Sequence, residues 1–328
     1  MPSTLSFFIK PIIASLLAFA VIWWEAGTEA LILVAILSVL EITLSFDNAV
    51  VNAKVLERMT PVWRKRFLTW GILLAVFGTR LILPALIVSI AAWTSPITIA
   101  VLAITDPAAY GELLQTVGAA ITAFGGTFLL MVSLKYFFDY EKSIHWITVV
   151  EKRFARWGRI AAIEIALAVT ILLVIASVSH EDAATILSAG LIGLVLFIIM
   201  EGVGSAFSPT GDTLAKQGLS LFIYINILDS AFSLDGVVGA FALSSNLLII
   251  VTGLGIGAYF VRALTLFMVA RKTLSELTFL EHGAHWAIFG LAGAMFAGLI
   301  VEVPEILTGL IGLLFISLSY RTSRSATK

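Results

Sequence analysis

Two segments of this chain, each apolar enough to lie in lipid, carry two carboxylates six residues apart around a serine. The first reads Glu41-Ile42-Thr43-Leu44-Ser45-Phe46-Asp47-Asn48, and the second Asp229-Ser230-Ala231-Phe232-Ser233-Leu234-Asp235-Gly236. Ionisable groups at membrane depth are costly and persist where they face a cavity or a partner. Meeting the pattern twice implies an internal repeat built around a polar site, an arrangement common among transporters.

Composition supports a bilayer as the solvent. Of 328 residues, 60% are hydrophobic and 12% charged, with a mean hydropathy of +1.05. Soluble domains carry about 25% charged residues. The expectation is an all-α polytopic membrane protein, with residues 1–328 as a single membrane domain. A net charge of −1 gives no reason to expect nucleic-acid binding. The absence of cysteine excludes disulfides and thiolate metal sites. Lys10 lies inside the first apolar stretch, which runs on to Trp23-Trp24, so it reads as a first membrane helix rather than a cleaved signal.

A span needs about 20 mostly apolar residues. Ten stretches qualify: 5–24, 29–53, 67–91, 112–137, 160–178, 183–203, 218–243, 246–269, 284–302 and 304–320. A shorter piece, 95–105, reads as re-entrant or surface-lying. Lys and Arg cluster in loops 54–66 and 138–159, after the eighth span and at the C-terminus, whereas 25–29, 92–111 and 179–182 have none. Ten spans place every basic loop, and both termini, on the cytoplasmic side of a bacterial plasma membrane. The second and seventh spans, which bear the two motifs, then run in opposite directions.

The helix after each motif matches too. Gly71, Phe77 and Arg80 align with Gly253, Tyr259 and Arg262, and a weaker match follows between 117–125 and 282–290. The expected inverted repeats cover about 41–136 and 229–302, roughly three helices each.

On a helix, Glu41, Ser45 and Asn48 share one face, as do Asn226, Asp229, Ser233 and Gly236. Asp47 and Asp235 lie about 120° from the first carboxylate of their own motif. All four acids meet in one pocket only if both helices unwind near the serine and second aspartate. Carboxylate, amide and hydroxyl oxygens without thiolate suit hard divalent cations, Mn²⁺, Ca²⁺ or Mg²⁺; coupling to H⁺ or Na⁺ through the same acids is chemically reasonable. The candidate ligands are Glu41, Ser45, Asp47, Asn48, Asn226, Asp229, Ser233 and Asp235. Arg80 and Arg262, both mid-span, are their charge partners. They either lock helices together or release the acids when the cation arrives.

Glu281, His282 and His285 open the ninth span, either as a capping cluster or as a metal-entry vestibule; Glu201, followed by Gly202 and Gly204, is a further candidate to line a path. In 145–157, Trp146, Val150, Phe154 and Trp157 recur at helical spacing with basic residues between, which reads as an interfacial helix on anionic lipid.

At the two acidic motifs the chain resembles the TerC-like integral membrane proteins, tellurium-resistance protein C relatives often grouped with the LysE-like transporters. Glu-x-x-x-Ser-x-Asp-Asn, Asp-x-x-x-Ser-x-Asp-Gly and the arginine of the following helix carry the likeness, closest to a longer bacterial branch. Gly236, where the first copy has Asn48, and the spans around 160–203 depart from that pattern. The resemblance implies manganese handling, with the acidic residues as ligands. The leading expectation is a secondary transporter exporting Mn²⁺ or a similar ion, with no resident cofactor. No Walker A pattern is present. The alternative is a membrane scaffold or assembly factor in metal or envelope-stress homeostasis, with structural buried charges. An enzyme is not expected: the Gly-x-Gly-Asp pattern of intramembrane aspartyl proteases is absent, Asp235 following Phe232-Ser233-Leu234.

Overall fold

In the computed structural model the apolar stretches are helices whose boundaries fall at Gly, Pro and capping residues. It describes residues 4–74, 78, 82–91, 94–179, 182–206, 214–244, 246–271, 273–301 and 303–326. No strand occurs among them. In chain order the helices are α1 (Thr4–Leu44), α2 (Phe46–Glu57), α3 (Pro61–Leu73), α4 (Leu83–Ala91) and α5 (Pro96–Thr105). Next come α6 (Pro107–Thr116), α7 (Gly118–Phe137), α8 (Thr148–Trp157), α9 (Ile163–Val178) and α10 (Ala183–Ala206). The last are α11 (Leu214–Leu243), α12 (Leu247–Ala270), α13 (Thr273–Glu276), α14 (Leu280–Gly298) and α15 (Glu305–Ala326). Pro61, Pro96 and Pro107 each open a helix, where a missing N–H costs no hydrogen bond.

Among the described residues four helices are long and apolar enough to cross a membrane: Leu5–Leu44, Gly118–Phe137, Ala183–Gly202 and Leu247–Ala270. The chain is an α-helical protein of membrane type. Large apolar side chains point outward, as at Leu17, Trp24, Ile90 and Ile97, whereas Ser38, Glu41, Asp47, Asn48, Asn52 and Arg262 are buried. Water would favour the opposite distribution.

The chain divides into two compact units, Met1–Gly118 with Pro209–Arg271, and Ala119–Ser208 with Lys272–Lys328. Both acidic motifs belong to the first. Its α1 is interrupted by Gly27, whose φ of 80° is open to glycine at no steric cost. Phe7 and Phe8 pack on Phe267 near the end of α12, Ser38 donates to the Gly253 carbonyl near its start, and Glu41 lies against Gly257. The first half of α1 therefore runs antiparallel to α12, and the second half turns back parallel to it. The expected division into 5–24 and 29–53 corresponds to this reversal. Close approach of the second half rests on two glycines. A Cβ at Gly253 would lie 2.6 Å from Leu37 Cβ, and one at Gly257 would lie 2.5 Å from Glu41 Cβ.

One expected span is subdivided. Residues 112–137 divide at Val117 (φ −95°, ψ 9°) between α6 and α7. Within 67–91, α3 ends at Leu73 and α4 starts at Leu83; Leu74, Gly78 and Ile82 between them are helical too, and the others lie outside the described residues. The 95–105 piece is helix α5, followed directly by α6, whose Asp106 side chain caps the Ala109 N–H.

In the second unit α14 and α15 form an antiparallel hairpin across Pro304. Gly290 faces Ile311, Gly283 faces Ser319, and the Phe279 N–H donates to Ser323 Oγ at 2.9 Å.

Gly257→Ala should destabilise the purified protein, because overpacking against Glu41 costs about 1–3 kcal/mol against a propensity gain of about 1 kcal/mol. Gly293→Ala, whose Cβ meets nothing within 4 Å, should be neutral or slightly stabilising. Thermal unfolding in detergent distinguishes the two; equal melting temperatures would contradict the packing described.

Candidate metal-ion site

The first motif straddles a break. Helix α1 ends at Leu44, Ser45 takes a non-helical conformation (φ −98°, ψ 15°), and α2 starts at Phe46. The Ser45 hydroxyl does not cap α2; it donates to Glu41 Oε1 at 2.9 Å. Asp47 then falls in the first turn of α2, where the helix dipole favours a carboxylate. Its Oδ1 accepts from the Asn48 N–H at 2.9 Å. Asp47, Asn48 and Asn52 are all buried, in a helix enclosed on nearly every face.

The second motif is different. Helix α11 is continuous from Leu214 to Leu243, so the unwinding expected near Ser233–Gly236 does not occur. Gly236 faces Glu41: a Cβ there would make an ordinary van der Waals contact with Glu41 Oε2, at 3.4 Å. The Asp235 side chain lies outside the described residues, as does Arg80.

Asp229 joins the two motifs. Its Oδ1 accepts hydrogen bonds from the side-chain amides of Asn48 (2.5 Å) and Asn52 (3.4 Å). Its Oδ2 pairs with Arg262 Nη2 at 2.9 Å. Because Glu41 lies beside Gly236 and Asn48 beside Asp229, the motif segments cross antiparallel. Asn52, one turn beyond Asn48, was not among the candidates; its i, i+4 relation to Asn48 was the available signal.

Arg262 is buried on α12. Its Nη1 donates to the Phe67 carbonyl at 3.3 Å, and its guanidinium lies 4.1 Å over the Phe67 ring. Gly71, one turn after Phe67, leaves room for it: a Cβ there would come within 2.5 Å of Nη1. Phe67 also packs with Val55, Leu56, Met59, Leu221 and Ile225, which close the polar cluster with hydrocarbon at that end. Arg64 fixes the exit of α2, donating to the Leu56 and Glu57 carbonyls at 2.8 Å each.

Among the described residues, four oxygens near this cluster have no hydrogen-bond partner: Asn48 Oδ1, Asn52 Oδ1, Asn226 Oδ1 and Ser233 Oγ. Asn226 uses its amide nitrogen on the Phe222 carbonyl. An unanswered buried oxygen costs about 1–3 kcal/mol, and a hard cation is one group that would answer several at once. Among the described residues, no three His, Asp or Glu side chains lie close enough to hold a metal ion. A cation here would draw on amide and hydroxyl oxygens around Asp229.

The second unit treats its polar residues differently. Buried Glu151, on α8, accepts from the Trp146 and Ile147 N–H groups (3.1 and 3.3 Å) and from Trp286 Nε1 (2.9 Å). His282 Nδ1 lies 2.8 Å away and Lys142 Nζ 3.2 Å. The carboxylate can only accept, so His282 Nδ1 carries the hydrogen. Burial alone would raise the Glu151 pKa, but hydrogen bonds from His282 and Trp286 and the charge of Lys142 bring it down to about 2. His285 stacks on Tyr136 at 3.6 Å and uses Nδ1 on the Glu281 carbonyl. His282 and His285 are thus engaged in packing and hydrogen bonds. Glu201, at 2.6 Å, and Glu164, at 3.6 Å, share Lys135. The segment read as an interfacial helix is pinned inward by Glu151, a residue absent from the apolar pattern Trp146–Val150–Phe154–Trp157.

A model of DUF475, a protein family of unknown function, matches residues 46–328. The chain belongs to the DUF475 family. The match starts with α2, so Asp47, Asn48, Asn52, Asp229 and Arg262 of this DUF475 protein lie within it, and Glu41 and Ser45 precede it. No curated protein and no solved structure matches the chain.

Arg262→Met should destabilise the protein by about 3–5 kcal/mol, the usual cost of stranding one partner of a buried pair. The double variant Asp229→Asn/Arg262→Met should lose less than the two single variants summed; strict additivity in denaturant unfolding would show that the pair is not coupled. The lowered Glu151 pKa makes a pH prediction. Its stabilising effect is complete above the ordinary value of 4.5 and is lost as pH falls toward about 2. The stability gap between wild type and Glu151→Gln, roughly 3 kcal/mol at neutral pH, should close across that window. A gap independent of pH would mean that Glu151 carries no shifted proton equilibrium.

Proposed function

We propose that this protein is a secondary transporter of a hard divalent cation, with the two acidic motifs supplying one shared midplane site. The observation that carries this reading is the convergence on Asp229 of Asn48 and Asn52 from the first motif helix, with buried, unanswered amide oxygens on both. Oxygen-only donors around a carboxylate suit Mn²⁺, Mg²⁺ or Ca²⁺, and the likeness to TerC-like proteins narrows the cargo to manganese and the direction to export. Antiparallel crossing of the motif segments supports an inverted repeat of about three helices within ten spans, with both termini cytoplasmic in a bacterial plasma membrane. Arg262 holds Asp229 in the absence of cargo, and an arriving cation exchanges with the guanidinium, coupled to movement of H⁺ or Na⁺. Glu41, Ser45, Asp47, Ser233 and Asp235 are the further candidates, of which the site draws a subset, because with α11 continuous Asp235 lies about 120° around the helix from Asp229.

One observation favours a second reading, a scaffold with structural buried charges. Arg262 is held by Asp229, by the Phe67 carbonyl and ring, and by the space over Gly71, an arrangement suited to a permanent lock.

In proteoliposomes the wild type should carry Mn²⁺, and Asp47→Asn and Asp235→Asn should abolish the flux while remaining folded. Absence of flux with Mn²⁺, Ca²⁺ and Mg²⁺ under every proton or sodium gradient would favour the scaffold, as would variants that lose folded protein and no ion affinity.

A further inference from the structure

We infer that one edge of the second unit, formed by α8 and the last turns of α15, is a binding surface for anionic phospholipid headgroups. Its depth is set by the helices it joins. Phe154 of α8 packs on Phe137 and Phe138 at the end of α7, with ring centroids 6.1 and 5.4 Å apart. Glu151 of the same helix is bonded to His282 and Trp286, in the first two turns of α14. Helix α8 thus lies across the end of one apolar helix and the start of another, the level at which a chain leaves and re-enters hydrocarbon. The bond from the Phe279 N–H to Ser323 Oγ brings the end of α15 to the same edge.

Glu151 also decides which face of α8 is free. Glu151 and Ala155, at i and i+4, are buried, so Lys152, Arg153 and Arg156 point away from the protein. With Arg159, Arg321 and Arg324 they make six exposed cations at one edge, and none forms an ion pair among the described residues. Apolar side chains are interleaved with them: Val149 is 80% exposed, Ile160 56% and Trp157 44%. A nucleic acid would satisfy the charges and leave these three in water. The boundary of an anionic leaflet satisfies both, phosphates meeting the cations and upper acyl carbons the apolar groups. This inference is independent of the transport reading.

The test is co-purification from vesicles of equimolar phosphatidylglycerol and phosphatidylcholine. The full-length wild type, extracted in mild detergent, should retain phosphatidylglycerol enriched about fivefold or more, since each exposed cation near such a surface contributes about that factor. Raising the salt should reduce the enrichment, a measurement that requires no variant. Arg153→Gln/Arg156→Gln/Arg159→Gln should return the ratio toward that of the vesicles with an unchanged melting temperature. Retention of the two lipids in the vesicle ratio by wild type would overturn the proposal. So would undiminished enrichment in the folded triple variant.

Discussion

A carboxylate buried among apolar helices must be answered on each oxygen, and Asp229 is answered from two neighbouring helices at once. Asn48 and Asn52 of α2 take one oxygen, and Arg262 of α12 takes the other. Much of the first unit follows from that demand. Helix α2 is enclosed because its amides must reach α11. Gly71 leaves space so that Arg262 can lie under Phe67, and Gly253 and Gly257 let the second half of α1 close on α12. Glu41 and Asn48, two turns apart on one face, meet Gly236 and Asp229 of α11.

The two units answer buried acids in opposite ways. Glu151 is surrounded by donors from α14 and from the loop before α8, and His282 and Trp286 spend their ring N–H groups on it. That carboxylate is closed and structural, a pin for an exposed basic helix. Around Asp229, by contrast, amide oxygens on Asn48, Asn52 and Asn226 and the Ser233 hydroxyl are left without hydrogen-bond partners among the described residues. Three buried amide oxygens and a hydroxyl in one place are groups that a hard cation would answer.

Hydropathy and motif spacing made the helical class, the pairing of the two acidic segments and the importance of Arg262 legible before any coordinates. The Gly27 reversal was legible as a short charged interruption between two apolar runs. Other features were hidden because they depend on side chains meeting across long sequence distances. Asn52 lies among apolar neighbours and gains meaning only beside Asp229. Glu151 looked like one solvated acid in a basic loop, because the two ring donors that bury it, His282 and Trp286, lie 131 and 135 positions away. The expected unwinding of the second motif failed for a physical reason: glycine at 236 permits a break but does not require one. The continuous helix keeps its backbone bonds and sets Gly236 beside Glu41.

The central claim is that residues from both motifs hold one cation. Equilibrium Mn²⁺ binding to the purified protein, read from the loss of the free-ion electron paramagnetic resonance signal, tests it most directly. The account predicts one ion per chain, with binding lost in folded Asn52→Ala as well as in folded Asp229→Asn. Binding that survives either substitution, or two ions per chain removed independently, would contradict a shared site.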